Sequence, residues 1–347
     1  MNSTHTKKKM KVCLVSKEYP PETGHGGIGT YTYELAQGLS QLGHEVHVIS
    51  KALDEERNYQ DQRVHVHRIK EKTPWGLYKL KNIFPVELYF YSVRVSEKIH
   101  ELTEQYGIEL VEVPEWEAEG FWYSFFKKIP LIVKFHTPFF VIARMDQKKA
   151  TLKRILIKWL ERVASQRADF FSSPSRQMAE IISKEYKIDL GKIKVMPLPI
   201  DTDLFKPAEK NIRDKRIVLY TGRLEVRKGV DILAEAIPLI LEKMPDVKFS
   251  FIGKDNFSAY YGMTLKDLIL KKAGRPEQII FYNHMDREKL IEHYRQSSVC
   301  VIPSVWENFG YTVLEAMACG TPVITTDTVG ITEYLDQSGV IKVPAEN

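Results

Sequence analysis

One plan occurs twice along this chain. An apolar run short enough for a strand is followed by a glycine-containing loop, a helix-length amphipathic stretch and a second apolar run. The first copy is KVCLVS (11–16), a loop holding Gly24, Gly26, Gly27 and Gly29, and a helix to Leu42. Ile28, Leu35, Leu39 and Leu42 mark one face of that helix, Gly43 stops it, and EVHVIS (45–50) follows. The second copy is RIVLYTG (216–222), the loop RLEVRKG, the helix VDILAEAIPLILEKM (230–244) and the strand VKFSFIG (247–253). A strand–helix–strand crossover forces parallel pairing. Further strands are predicted at 131–137, 170–175 and 194–199, then at 279–283, 298–304, 322–326 and 339–344. The fold class is therefore α/β, with two tandem Rossmann-like domains, 1–200 and 201–347. The boundary lies near PLPIDTDLFKPAEKN (197–211), which is rich in Pro and Asp and lacks periodicity. Parallel sheets bind ligands at their strands' carboxyl ends, so two such sheets are expected to face a cleft between the domains.

Composition narrows the classes. Of 347 residues, 44% are hydrophobic and 27% charged, which is globular rather than disordered. Cys13, Cys300 and Cys319 are too few and too scattered for a disulfide framework or a zinc site, and their apolar surroundings read as buried thiols in a reducing cytoplasm. No apolar run reaches membrane-spanning length, and MNSTHTKKKMK leads into a strand rather than a secretory leader. The net charge of +5 is uneven. Residues 1–200 hold 31 Lys and Arg against 24 Asp and Glu, and the remainder 19 against 21. Arg144–Arg167 alone carries eight basic and two acidic side chains. Within it Leu152, Ile155, Leu156, Trp159, Leu160 and Val163 follow helical spacing, with Lys153, Arg154, Lys158 and Arg162 largely off that face. Such a helix can lie on anionic lipid, giving peripheral contact through 148–163 at the inner membrane face. The favoured alternative packs its apolar face on the first sheet. The patch has no nucleic-acid reading motif.

Three segments carry chemistry. The loop Thr23–Thr30 follows a strand and opens a helix, so Gly26 and Gly27 let a ligand approach the backbone where a helix start favours negative charge. A tight turn without ligand is the other reading. Ser50 and Lys51 end the next strand where a dinucleotide site needs an acid, which argues against a nicotinamide dehydrogenase. In Gly222–Gly229, Arg223 and Lys228 stand after a strand and beside a helix start, as a diphosphate clamp would; a solvated basic turn has the same composition. In Pro303–Glu315, Phe309 and Gly310 begin a helix running to Gly320. Glu307 precedes it, and Glu315 lies eight residues on, roughly two turns along. An anion at the amides of Phe309 and Gly310, with hydroxyl-bearing rings on the two glutamates, describes a nucleoside diphosphate sugar. A capping glutamate plus a surface glutamate is the alternative.

Together these segments resemble the retaining GT-B glycosyltransferases of family 4, the group-1 glycosyl transferases. The matching pieces are Gly26-Gly27, G-R-L-x-x-x-K-G from Gly222, P-S-x-x-E-x-F-G from Pro303, Glu307 with Glu315, and A-C-G-T-P-V (318–323). The resemblance implies that Glu315 holds the ribose, Glu307 the donor sugar, Arg223 and Lys228 the diphosphate, and the amides of Phe309, Gly310 and Tyr311 the donor. It places His136 near the donor sugar and the Gly26-Gly27 loop beside phosphate and acceptor. It also implies further helices after the second sheet, of which the sequence ending in Val343–Asn347 stops short. Thr328-Val329-Gly330 stands where the family usually has two adjacent glycines.

The expected reaction moves a hexose to an acceptor hydroxyl with retention. No cofactor is expected beyond the donor nucleotide, UDP first, with GDP and ADP open; the acceptor is a glycan or a lipid-linked molecule. No metal is expected. His65 and His67 read as surface residues, and the acidic run Glu109, Glu112, Glu115, Glu117, Glu119 around Trp116 reads as a solvated loop or an acceptor lining. A sugar-nucleotide 2-epimerase and a non-catalytic nucleotide-sugar binding protein are the competing readings.

Overall fold

A computed structural model of the chain describes residues 8–23, 26–145, 151–210, 212–283, 285–336 and 338–345. Gly24 and His25 of the glycine loop, residues 148–150 of the proposed lipid-facing stretch and the final Glu346-Asn347 lie outside the described residues. The chain forms two compact units that divide between Pro199 and Ile200.

The first unit is built on eight strands: β1 (Lys11–Val15), β2 (Glu45–Lys51), β3 (Arg57–Asp61), β4 (Val64–Ile69), β5 (Leu110–Pro114), β6 (Leu131–Lys134), β7 (Phe170–Ser173) and β8 (Ile193–Val195). Their order is β3-β4-β2-β1-β5-β6-β7-β8. Every neighbouring pair is parallel except β3 with β4. The centre forms where Val, Ile and Leu run without interruption, because a strand covered on both faces has no polar side to show. Val12 pairs with Val46 and Leu14 with Val48. The strand order reverses beside β1, so its carboxyl end and those of β5 and β6 form the topological switch point.

The second unit contains β9 (Asp214–Thr221), β10 (Lys248–Ile252), the short hairpin β11 (Phe257–Ser258) and β12 (Met263–Thr264), β13 (Ile279–Tyr282), β14 (Ser297–Ile302), β15 (Val323–Thr326) and β16 (Val340–Val343). Its main sheet runs β13-β10-β9-β14-β15-β16, parallel throughout. Phe249 and Phe251 of β10 pack with Leu233, Ile237 and Leu241 of the helix Val230–Lys243 and with Leu268 and Ile269 of the helix Leu265–Ala273. Here the switch point lies between β9 and β14.

Several expectations are corrected. The acidic run is no solvated loop: Glu112 sits within β5, and Glu115 and Glu119 are buried beyond it. Their carboxylates accept hydrogen bonds from neighbouring loops, which lets them leave water. His67 is buried rather than on the surface. It stands on β4 facing His47 of β2, Nδ1 of His47 lies 3.0 Å from Nε2 of His67, and His65 stacks on His47. Leu42 is exposed, since the helix Gly27–Gln41 buries a face of Tyr31, Thr32, Ala36, Gln37 and Ser40 instead. The helix Leu152–Gln166 buries Ile157, Leu160, Glu161, Ala164 and Ser165, while Leu152, Ile155 and Trp159 of the predicted buried face are exposed. Glu161 turns the helix, because its carboxylate accepts from the backbone N–H groups of Glu117 and Phe139 and from the Tyr186 hydroxyl.

In the second unit the loops after β9, β10 and β14 touch through bare backbone. Gly229 has φ +66°, and a Cβ there would lie 1.8 Å from the Pro303 carbonyl oxygen. A Cβ at Gly253 would lie 2.1 Å from the Gly222 oxygen. Combining the left-handed penalty with overpacking, Gly229→Ala should destabilise the protein by about 3 kcal/mol. The midpoint of urea unfolding measures this. Gly76→Ala, where nothing lies within 4 Å of the added carbon, is the control and should shift it little.

Candidate functional site

The carboxyl ends of β9 and β14 gather the second unit's candidate residues. Lys228 follows β9 in a single turn of 3-10 helix, Val226–Lys228. Its Nζ lies 2.8 Å from Oε2 of Glu307, in the loop after β14. The Ser304 hydroxyl donates to Oε1 of Glu307 at 2.5 Å. Both members of the pair are largely withdrawn from water. Burial raises the Glu307 carboxyl, but Lys228 and the Ser304 hydroxyl outweigh it and hold the group below the usual carboxylate range. Burial, aided by Arg227, holds the Lys228 ammonium below the ordinary lysine value against the opposing pull of Glu307. The backbone repeats the link, since the Val305 N–H donates to the Arg227 carbonyl at 3.1 Å.

Arg223 is exposed and reaches Glu225, Nη1 to Oε1 at 3.1 Å; Arg227 grips the other oxygen at 3.0 Å. Glu225 thus fixes two guanidinium groups at the mouth of the loop. On the far side, Gly310 caps the helix Tyr311–Ala318 with φ +95°. The helix begins at Tyr311, one turn-setting glycine later than the sequence suggested. A Cβ at Gly310 would meet Val329 at 2.5 Å. The Ile331 N–H donates to the Phe309 carbonyl and the Gly330 N–H to the Glu307 carbonyl, so the loop after β15 holds this helix start in place. Phe309 is buried, its ring 6.0 Å from that of Tyr311. Glu315 accepts from the Tyr294 hydroxyl at 2.9 Å, and that hydroxyl lies 2.9 Å from Thr221 Oγ1 at the end of β9. Tyr294 is fully buried, and burial together with Glu315 drives its hydroxyl well above the ordinary value, so it remains a donor. Arg223, Lys228, Glu307, Gly310 and Glu315 are therefore tied to the same two strand ends. Glu225 and Tyr294 are the residues sequence reasoning missed. The G-R-L-x-x-x-K-G run contains Glu225 and could have flagged it; Tyr294 carries no sequence signal.

In the first unit, Gly26 caps the helix Gly27–Gln41, and both glycines are exposed. The helix start is already served by Glu18, whose Oε2 accepts from the Gly29 N–H at 3.2 Å. His136 follows β6 and is buried, and its N–H donates to Glu115 Oε2 at 2.6 Å. The Tyr31 ring stands edge-on to the imidazole at 5.1 Å. Burial first, then the Lys134 charge, pushes the His136 ring down to about 3. Burial lowers Lys134 to about 8, with Glu112 and Glu115 pulling it up. Its ammonium lies 5.0 Å from the Tyr31 ring centroid, and the Tyr31 hydroxyl donates to Glu112 at 2.7 Å. These side chains surround a cavity of about 10 Å³, room for about one water. Beside it, Glu119 accepts from the Lys17 N–H and Glu117 pairs with the Lys17 ammonium at 2.6 Å. Glu117 and Ala118 both adopt left-handed backbone, with φ 54° and 53°, a strained turn of the kind that clusters at functional sites. Among the described residues no group of three or more His, Cys, Asp or Glu is placed to hold a metal ion.

Comparison with known proteins matches residues 25–204 to the model of Glycosyltransferase Family 4 and residues 201–344 to that of Glycosyl transferases group 1. An uncharacterised glycosyltransferase of Methanocaldococcus jannaschii is 26% identical over 351 residues, covering 94% of this chain and 83% of its own. Among solved structures, sucrose-phosphate synthase from Thermosynechococcus elongatus superposes with a TM-score of 0.75 at 19% identity, covering 98% of this chain and 87% of that one. Anabaena HepE in complex with UDP and glucose gives 0.69 at 17% identity, covering 97% and 86%.

The His136 environment has a pH signature. A ring lowered from 6.5 to about 3 stays neutral when folded but takes up a proton when unfolded, so it withdraws stability as pH falls from 6.5 toward 3. His136→Gln should therefore remove a decline of up to about 1.4 kcal/mol per pH unit in that window. Urea titrations of both proteins at a series of pH values give the difference. The Hε1 resonance of His136 should also stay unshifted down to about pH 4.

Proposed function

Since the chain belongs to glycosyltransferase family 4, we propose that it is a retaining, metal-independent hexosyltransferase that takes a nucleoside diphosphate sugar and delivers the sugar to a hydroxyl of a glycan or lipid-linked acceptor. The observation that carries this reading is the buried Lys228–Glu307 pair at the joined ends of β9 and β14, beside the helix start at Gly310. A cation and a carboxylate held against each other out of water form a poor structural bond, because desolvation offsets most of their attraction. The same pair suits a ligand that presents an anion to one member and hydroxyl groups to the other.

Under this reading Lys228 and Arg223 neutralise the diphosphate, and the amides of Phe309, Gly310 and Tyr311 face it from the helix start. Glu307, kept ionised, accepts from hydroxyl groups of the sugar. Glu315, aimed by Tyr294, accepts from the ribose. His136, kept neutral, exchanges a hydrogen bond with a sugar hydroxyl. As the bond from the anomeric carbon to the phosphate oxygen breaks, the bond to the acceptor oxygen forms on the same face. The acceptor's proton passes to the departing phosphate oxygen. The electron pair of the broken bond leaves with that oxygen, and the two side-chain cations balance the negative charge that builds there. UDP is the first choice of nucleotide, supported by HepE, whose solved complex contains UDP and glucose; GDP and ADP are the alternatives. Buried free thiols at Cys13, Cys300 and Cys319 accord with a cytoplasmic enzyme.

Screening UDP-, GDP- and ADP-sugars for nucleotide release, with and without acceptor sugars, tests the reading. One donor should be consumed faster when an acceptor is present, with the product in the donor's anomeric configuration by NMR. Lys228→Ala should lower kcat/KM about 1,000-fold, the scale of losing one transition-state donor, with the protein still folded. Near-normal turnover by that variant, or sugar isomerisation without transfer, overturns the proposal.

A further inference from the structure

The hairpin of β11 and β12 is fastened at its base and bare at its tip. It grows from the loop after β10, where Asp255 bridges to Leu224 between Arg223 and Glu225, and the Leu224 N–H donates to the Lys254 carbonyl at 2.9 Å. Tyr261 anchors the turn. Its side chain packs against the second unit's core, and its hydroxyl donates at 2.8 Å to Oδ2 of Asp231, three residues after Lys228. The Ser258 carbonyl accepts from the Gly262 N–H at 2.8 Å, and Thr264 caps the helix Leu265–Ala273. With both ends fixed, Phe257 and Tyr260 nevertheless face water, 66% and 85% exposed. The Tyr260 ring stands perpendicular to that of Tyr261, with centroids 4.8 Å apart, so its orientation is set. Two large rings left out of the core on a fastened hairpin forgo the burial that would stabilise them, and this marks an interaction site.

Size and charge select the occupant. Two aromatic side chains offer about 300–500 Å² between them, below the roughly 800 Å² that each partner gives to a stable protein interface. No charged residue lies between Asn256 and Leu265, so the tip has no cation with which to hold a phosphate or a nucleic acid. A sugar ring needs neither area nor charge. Its C–H groups, weakly positive, meet the negative face of an aromatic ring, while its hydroxyl rim stays in water. An open pair of rings suits several linked sugars better than one. We propose that Phe257 and Tyr260 form a platform for a neutral oligosaccharide, which docks a glycan at the carboxyl edge of the second sheet, beside the loop that carries Arg223 and Lys228. The platform deepens the transferase reading, on which it rests for the choice of a glycan, by making the acceptor an extended chain rather than a single small molecule.

Titration calorimetry of the full chain with maltohexaose, cellohexaose, mannohexaose and xylohexaose tests it. At least one should bind with a Kd of about 1 mM or tighter, and the corresponding monosaccharide about tenfold more weakly. Tyr260→Ser combined with Phe257→Ser should weaken that binding at least about tenfold, while Tyr260→Phe, which keeps the ring, should stay within about twofold. Urea midpoints should stay unchanged in both variants, since the substituted side chains are exposed. Because binding needs no donor, its failure and a failure of transferase activity are separate results. Absence of binding by all four oligosaccharides at about 10 mM, or unchanged affinity in the double variant, overturns the proposal. So does a wild-type dimer by light scattering that the double variant dissolves, which assigns the rings to a second copy of the chain.

Discussion

The second unit's site depends on a backbone contact with no room for a side chain. Gly229 lies against the Pro303 carbonyl, and this brings the loop after β9 within reach of the loop after β14. Only then can Lys228 meet Glu307 at 2.8 Å. The pair in turn sets the electrostatics of the whole edge. Removing either member would leave a charge stranded with little water, a loss of about 3–5 kcal/mol in comparable buried pairs. The Ser304 hydroxyl donates to the carboxylate, the Val305 N–H donates to the Arg227 carbonyl, and the N–H groups of Gly330 and Ile331 donate to the Glu307 and Phe309 carbonyls, so the Glu307 loop is held by backbone and hydroxyl groups as well as by the lysine.

The first unit solves its own edge differently. Its loops after β1, β5 and β6 are fastened by buried carboxyl groups that burial raises, Glu119 and Glu161 both to about 8. Glu161 joins the loops after β5 and β6 through the N–H groups of Glu117 and Phe139, and Glu119 joins β5 to β1 through Lys17. A carboxyl raised in the folded state lends stability that is full below 4.5 and is lost as pH rises through about 8. His67 and His136, both lowered to about 3, act in the opposite sense and lend theirs above 6.5. The two sets oppose each other between about 4.5 and 6.5, which flattens the pH dependence of this unit.

How much of this was legible in the sequence follows from what each feature depends on. The central strands read clearly: KVCLV and the core of 214–221 are buried on both faces and so contain uninterrupted apolar residues. Strand β5 did not, because Glu112 interrupts it; the group is tolerated there because the Lys134 charge lies near and Tyr31, 81 residues away on a helix, donates to it. The burial of Glu115, Glu119 and Glu161 was invisible for the same reason, since the groups that satisfy them belong to loops distant in sequence. The exposed stripe of the helix Leu152–Gln166 was misread because periodicity locates an apolar face without saying what covers it. The motifs around Arg223, Lys228, Glu307 and Glu315 were legible because close backbone approach demands glycine at fixed places, and glycine spacing survives in the sequence. Tyr294 had no such mark, being one buried tyrosine among several.

The two helix starts differ in a way that divides the chemistry between the units. In the first, the Glu18 carboxylate accepts from the Gly29 N–H, and a Cβ on Gly26 would lie only 3.1 Å from it. An anion arriving there would have to displace a negative charge already in place. In the second, the loop leading to Gly310 carries Glu307, whose carboxylate is paired with Lys228, and a Cβ at Gly310 would meet Val329. Helix starts attract anions through their N–H groups and dipole, but a resident carboxylate cancels much of that attraction. Under the proposed transferase reading, a diphosphate goes with Gly310, Arg223 and Lys228. On the same reading the exposed Gly26-Gly27 loop contributes an open backbone surface rather than charge.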